Sequence, residues 1–421
     1  MTTEALARAG GRNSGGDSRA GEYQAVALVS AAHFVNHFQH FVLPPLFPLL
    51  TAQLGIGFVE LGLALTVQSV VGVAAQLPVG FLVDRMGSRR MLVAGLLVAG
   101  LAYLGFGLAP SYSSLLLTMV FMGLSNSVFH PADYSLLSAK VPAVRLGRAF
   151  SIHTFSGFLG NAVAPVTMLA LAAGFGLNVA LIAAGILALV VAVPLALARV
   201  DTDVAPSRQA PFAAEAGAAN DLRSILTPTI LGLTAFFALM SLSGSGISNF
   251  SVVALTSAFG TSLSAANLAL TAYLTAQALG VLAGGFIADL TRRHAEVAAL
   301  GYAVNAGIVL AIGTLGLAPL PLILAMSAAG LLSGMIMPSR DMLVRAAAPP
   351  GAMGRTFGIV TSGFGFGGMI GPLMFGFAMD QGAPQWVFGI SVVLMIAVAV
   401  VALVGDRRAA ARRRAAPALA D

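Results

Sequence analysis

Residues Gly123–Pro165 read GLSNSVFHPADYSLLSAKVPAVRLGRAFSIHTFSGFLGNAVAP, and the chain writes a second version 207 positions downstream. That copy, Gly330–Pro372, reads GLLSGMIMPSRDMLVRAAAPPGAMGRTFGIVTSGFGFGGMIGP and aligns without a gap. Thirteen of the 43 positions are identical, where composition alone gives about four, and similarity at a fixed offset marks a duplicated unit. Gly123 meets Gly330, Pro131 meets Pro338, Gly147-Arg148 meets Gly354-Arg355, Gly160 meets Gly367 and Pro165 meets Pro372. The shared residues are mostly those that shape helices, while the polar ones differ. Two similar halves with different chemistry between them are expected.

The surroundings of the repeat name its solvent. The 421 residues are 58% hydrophobic and 9% charged, with a mean hydropathy of +0.91. Soluble domains carry about 25% charged residues, so this chain belongs in a bilayer, with room for about a dozen crossings of about 20 residues. In hydrocarbon every backbone polar group must be bonded within its own element, so the apolar runs are helices. They fall near 24–50, 59–82, 91–110, 112–140, 148–173 and 177–199, then near 225–256, 264–289, 295–316, 320–346, 353–379 and 384–404.

The expected fold is therefore all-α, with twelve transmembrane helices in two pseudo-symmetric six-helix bundles at 24–199 and 225–404. Residues 1–23 read as a disordered tail, 200–224 as a cytosolic linker and 405–421 as a basic cytosolic tail. No cysteine is present, so no disulfide or thiolate metal site is possible. The net charge of +6 does not signal nucleic acid. The basic residues gather in the tails, the linker and the connections on one side, and the loops near 51–58, 109–113, 174–178, 257–263, 316–320 and 380–384 carry none. That asymmetry places both termini in the cytoplasm. The lipid bilayer and a small-molecule substrate are the expected partners.

Span 1 contains SAAHFVNHFQHFVLPPLFPLL, with His33, His37 and His40 at i, i+4 and i+7 on one helical face. Counting about 1.5 Å per residue from Gln24 puts them near mid-bilayer. Pro44, Pro45 and Pro48 remove helical donors just beyond, so a kink is expected there. Spans 2 and 3 are joined by GFLVDRMGSRR, Gly80–Arg90, with a weaker echo at GFIADLTRRH, Gly285–His294.

That loop resembles the signature of major facilitator transporters at Gly80, Asp84, Arg85, Gly87, Arg89 and Arg90. The resemblance covers span number, linker and repeat, and implies two bundles rocking about a central site, with the loop as a conformational motif. Within that superfamily, His33 to Asn36, Phe129-His130-Pro131, Gly147 and Gly160-Asn161 look like the fosmidomycin-resistance-type, drug-proton antiporter group. Two positions depart from it: His37 stands where that group has aspartate, and Ala132 where it has glutamate.

Ionisable groups at membrane depth call for a partner or a function. His130 and Asp133 lie three apart on span 4, and the repeat aligns Asp133 with Arg340. Three readings of Arg340 stay open: an inner gate with Asp133, a grip on an anionic substrate, and a helix cap with Asp341. The only lysine, Lys140, follows Ala139, so no Gly-Lys-[Ser/Thr] phosphate loop exists and transport must run on an ion gradient without a cofactor or metal. Histidines and a desolvated aspartate suit protons, which makes His37, His130 and Asp133 the coupling residues, with sodium left open. Substrate-binding residues are expected among His33, His37, His40, His130, His153, Asn249, Tyr273, Gln277 and Arg340.

The expected function is secondary active transport of a small organic solute, anionic or amphiphilic, across the inner membrane of a bacterium, by alternating access and as a monomer. Antibiotic or multidrug efflux by a proton antiporter is the alternative. An intramembrane enzyme built on His130 and Asp133, and a transporter-like receptor, are the rivals from other classes.

Overall fold

A computed structural model describes residues 14–198, 227–349 and 353–415. The expected linker, the first 13 residues and the last six lie outside this set. Twelve helical passes are described. Span 1 runs Ser14–His40, breaks in a 3-10 turn at Pro44–Leu46 and resumes as Phe47–Leu54. Spans 2 to 6 are Phe58–Met86, Ser88–Leu108, Tyr112–Lys140, Ala143–Phe175 and Leu177–Leu197. Span 7 runs Pro228–Ser245, a π-helical turn at Gly246–Phe250 and Ser251–Phe259. Spans 8 to 12 are Leu263–Leu290, His294–Thr314, Pro319–Ala347, Met353–Asp380 and Trp386–Ala415. Eleven of these helices are long and apolar enough to cross a membrane; the exception is span 1, whose 27-residue first segment is too polar, with three histidines, Asn36 and Gln39 in its second half.

The observed ends differ from the expected ones in two places. Span 1 begins at Ser14, within the tail expected to be disordered, and Glu22 there takes a two-pronged ion pair from Arg145 at the start of span 5, with Nε to Oε1 at 2.8 Å. Span 12 continues to Ala415, so most of the basic tail prolongs the helix. Arginine and alanine are good helix formers, and nothing in DRRAAARRRA breaks the run.

The repeat is visible as packing. Gly160 of span 5 sits against the Phe34 carbonyl of span 1, and its copy Gly367 of span 11 sits against Ser241 of span 7. Gly123 of span 4 meets the Gln68 carbonyl of span 2, and its copy Gly330 of span 10 meets the Tyr273 carbonyl of span 8. A Cβ at any of these four positions would overlap its neighbour. Small residues that let backbones approach are the means by which helices associate where lipid gives no hydrophobic drive. Span 1 breaks at prolines, span 7 at the π turn, so the first helix of each half is bent in its second part.

Twelve alternating passes bring Ser14 and Ala415 to one end. The halves meet toward the other end, called the far end here. Asp380 at the end of span 11 accepts from the backbone N–H groups of Phe58 and Val59, both at 2.8 Å, in the first turn of span 2. Thr66 donates to the Met369 carbonyl at 2.7 Å, Asn267 reaches the Pro45 carbonyl at 3.4 Å, and the Phe47 and Phe250 rings meet edge to face at 5.4 Å. Gly62 against the Pro372 carbonyl and Gly376 against the Phe58 carbonyl let spans 2 and 11 touch.

Candidate functional site

Spans 1, 4 and 5 converge on Asp133. Its Oδ2 accepts from His33 Nδ1 at 3.0 Å and from His153 Nε2 at 2.9 Å. All three side chains are buried, Asp133 completely. A carboxylate removed from water needs such donors, since an unpaired buried charge costs several kcal/mol. The His33 and His153 rings stack at 3.7 Å, His37 lies 4.4 Å from His33, and His130 lies 5.6 Å away at an edge-on angle. His40 adjoins His37 at 5.7 Å. Five of the chain's six histidines thus surround one carboxylate.

Local sequence explains the convergence. The i, i+4, i+7 spacing stacks three imidazoles along span 1, and Gly157 of span 5 leaves room for two of them: a Cβ there would lie 2.8 Å from His33. Asparagines fill the margin, with His37 Nδ1 donating to Asn161 Oδ1 at 3.2 Å and Asn36 Nδ2 to Asn126 Oδ1 at 3.2 Å. His130 and Tyr134 are exposed and form the open edge of the cluster, their rings stacked at 6.2 Å.

The second half carries different chemistry. Arg340 donates from Nε to Asp341 Oδ1 at 2.9 Å. Its guanidinium lies over the rings of Phe237 and Phe364, at 4.9 and 5.2 Å. Its side chain is 12% exposed, so two aromatic faces hold a nearly buried cation, whose Nη1 also points at Met240 Sδ at 3.9 Å. Tyr273 donates to Ser333 Oγ at 3.3 Å, as does Asn305 at 2.9 Å. Asn249 donates to Ser245 at 3.2 Å, and Gln277 is half-buried on span 8.

The structure thus joins His33, His37, His40, His130, His153 and Asp133, and leaves Asn249, Tyr273, Gln277 and Arg340 to the other half. Of the three readings of Arg340, the pair with Asp133 is not made in this conformation and the contact with Asp341 is: Asp133 is taken by two histidines and Arg340 by Asp341. Repeat equivalence sets the depth of a residue, not its partner. In the motif loop, Gly87 has φ of 85° and caps the start of span 3, and Arg89 Nη1 donates to the carbonyls of Ala196 and Ala198 at the end of span 6. Asp84, Arg85 and Arg90 are exposed, and Gly80 has open space beside it. Asn126, Asn161 and Asp380 were not among the expected site residues; a polar side chain at membrane depth, or an acid ending a span, was the signal for each.

The model of the Major Facilitator Superfamily matches residues 29–250 and 231–419. The chain belongs to this superfamily. The Fosmidomycin resistance protein of Escherichia coli (strain K12) is 27% identical over 383 residues, 87% of this chain and 88% of that one. The uncharacterised MFS-type transporter YfnC of Bacillus subtilis (strain 168) is 29% identical over 144 residues, about a third of either chain at 34% and 35%. Among solved structures, a bacterial homologue of the human lysosomal transporter Spinster, inward-facing and occupied, superposes with a TM-score of 0.75 at 15% identity over 91% of this chain and 96% of that one. The same protein inward-facing and unoccupied gives 0.70 at 15% identity, covering 91% and 95%. Membership makes the chain a multi-pass membrane transporter of small molecules, not an enzyme, and gives the far-end contacts of spans 2 and 11 a meaning: they close one mouth between the two bundles.

Proposed function

We propose that this superfamily member carries a small organic anion across the bacterial inner membrane by alternating access, driven by protons. The observation that carries the reading is the division of chemistry between repeat-equivalent positions. Asp133 sits in a cage of imidazoles in the first half, while Arg340, its counterpart, sits between two phenylalanine rings in the second. A planar guanidinium binds carboxylate, phosphonate or phosphate through paired hydrogen bonds, and an anion would replace its contacts to Asp341 and Met240. Its aromatic walls suit an organic group attached to that anion.

Coupling falls to the first half. A buried carboxylate requires a compensating cation, and a proton can supply it by way of His33, which joins Asp133 to His37 and His130. With the termini in the cytoplasm, as the basic loops favour, the joined far end faces outward. Alternating access then needs the contacts of spans 2 and 11 to part while the other mouth closes.

Efflux of an antibiotic by proton antiport is the second reading, favoured by the 87% coverage of the likeness to the E. coli resistance protein. His37 and Ala132 depart from that group's pattern inside the cluster, so the coupling step differs in its groups. A thermal-shift screen of the purified chain against organic acids, phosphonates and neutral drugs tests the substrate class. A ligand at 100 times its Kd stabilises by about 2.7 kcal/mol. Stabilisation by anions that is lost in Arg340→Ala supports the proposal, whereas stabilisation confined to cationic or neutral compounds refutes it.

A further inference from the structure

We infer that His33, Asp133 and His153 form a binding site for one first-row divalent metal ion, of which Zn²⁺ is the type. The site uses residues of the coupling cluster, but its occupancy in the resting protein does not depend on what is transported.

Three observations point to it. First, the donor atoms His33 Nδ1, Asp133 Oδ2 and His153 Nε2 come from three separate helices and lie within 4.8 Å of one another. Second, all three residues are at most 3% exposed, so packing on every side fixes their directions. Third, two polar atoms of this set have no hydrogen-bond partner among the described residues, Asp133 Oδ1 and His153 Nδ1. A buried carboxylate oxygen without a donor is costly, and a bound cation removes that cost.

The geometry suits an ion of this size. Zn²⁺ takes imidazole nitrogen at about 2.0–2.1 Å and carboxylate oxygen at about 2.0–2.2 Å. Two ligands at such distances stand about 3.0–3.5 Å apart. The observed separations from Asp133 Oδ2 are 3.0 and 2.9 Å, and the two nitrogens lie within 4.8 Å of each other, so the carboxylate has to withdraw and the imidazoles close by up to about 0.6 Å for one ion to reach all three. The donor set is selective as well. Two imidazoles and one carboxylate suit zinc, cobalt or nickel, whereas calcium and magnesium require a shell of oxygens.

Proton bookkeeping is simple. In the ion-free protein the two imidazoles donate N–H to Asp133. On binding, each coordinates through that nitrogen and carries its proton on the other one, which for His153 is the unpartnered Nδ1. Three protein ligands leave a fourth position open. His37 and His130 are the next imidazoles, their rings 4.4 and 5.6 Å from that of His33.

The test uses the full-length chain purified in detergent without a polyhistidine tag and stripped by chelator. Zn²⁺ is titrated by calorimetry, and Co²⁺ serves as a spectroscopic probe. One ion per chain, with the visible absorption of four-coordinate Co²⁺ bound by nitrogen and oxygen, is the expected result. Asp133→Asn and His153→Gln should each weaken binding more than the roughly 100-fold that loss of an outer-sphere partner produces. His294→Gln, at the one histidine outside the cluster, should change nothing. Should one cluster variant fail to fold, as judged by gel filtration, His33→Gln offers the same reading from another helix. Absence of stoichiometric binding overturns the proposal, as does binding that survives in the folded variants or vanishes with His294. A transporter that binds the ion yet moves no organic anion would sink the transport reading alone.

Discussion

Asp380 is the most direct place to disturb the balance between the two conformations. Its carboxylate accepts two backbone N–H bonds at 2.8 Å from the first turn of span 2, joining the halves at the far end. Bonds of this kind to a charged group contribute about 1.5–3 kcal/mol each when shielded, and the positive end of a helix adds about 0.3–1 kcal/mol. Asp380 is exposed, so water replaces much of what is lost, and a net effect of about 1.5 kcal/mol is the working figure. That corresponds to about a tenfold shift in the equilibrium. Asp380→Ala should shift the population toward the state open at the far end by this amount, and Asp380→Asn, which keeps one acceptor, by less. Introduced cysteines read it out cleanly, because the chain has no native cysteine. A Cβ at position 368 would lie 3.4 Å from the Ser69 Cβ, close to the spacing of a disulfide. Ser69→Cys with Gly368→Cys should cross-link readily, and Ser69→Cys alone should be labelled by a thiol reagent from the far side about tenfold faster once Asp380→Ala is added, because the state open at that end is the minor one. Glu60→Gln is the control, since Glu60 caps Gly57 within the same half. Equal labelling rates with and without Asp380 would refute the argument that this bond holds the mouth closed.

Three further outcomes are expected. Exchanging the charges, Asp133→Arg with Arg340→Asp, should leave transport as inactive as either single change, because each residue has its own partners; recovery in an uptake assay would restore the reading of the two as a gate. Gly330→Val should lower the melting temperature or abolish expression, since overpacking against the Tyr273 carbonyl costs about 1–3 kcal/mol or more, while Gly307→Ala, with open space beside it, should be neutral in the same melts. Glu22→Gln should loosen the start of span 1 from span 5, and hydrogen exchange at residues 14–22 should rise without loss of substrate binding.

The glycines of the repeat were legible because close helix contact admits no other residue, and Gly123, Gly160, Gly330 and Gly367 do occupy such contacts. The break in span 1 was legible for a similar reason, since Pro44, Pro45 and Pro48 cannot donate. Span 7 reaches its bend by a π turn, for which GISNF carries no comparable signature. Within the site, the histidine stripe could be read from its spacing, yet the partners of Asp133 could not. His33 and His153 are 100 and 20 residues away, and only tertiary packing selects them over His130, three residues along the same helix. Arg340 shows the complementary limit. The repeat gave its equivalent position, but its neighbours Phe237 and Phe364 come from spans whose rotation no pattern in the sequence specifies.

In the proposed transport cycle Asp133 carries the coupling proton and Arg340 the anion. The measurement that meets it most directly uses proteoliposomes loaded with a pH-sensitive dye and supplied with an organic anion that stabilises the purified protein. Addition of that anion should move protons across the membrane in the wild type. In Asp133→Asn the proton signal should vanish while exchange of labelled for unlabelled anion at equal pH persists. Proton movement that continues undiminished in Asp133→Asn, with the variant folded and exchanging anion, would contradict it.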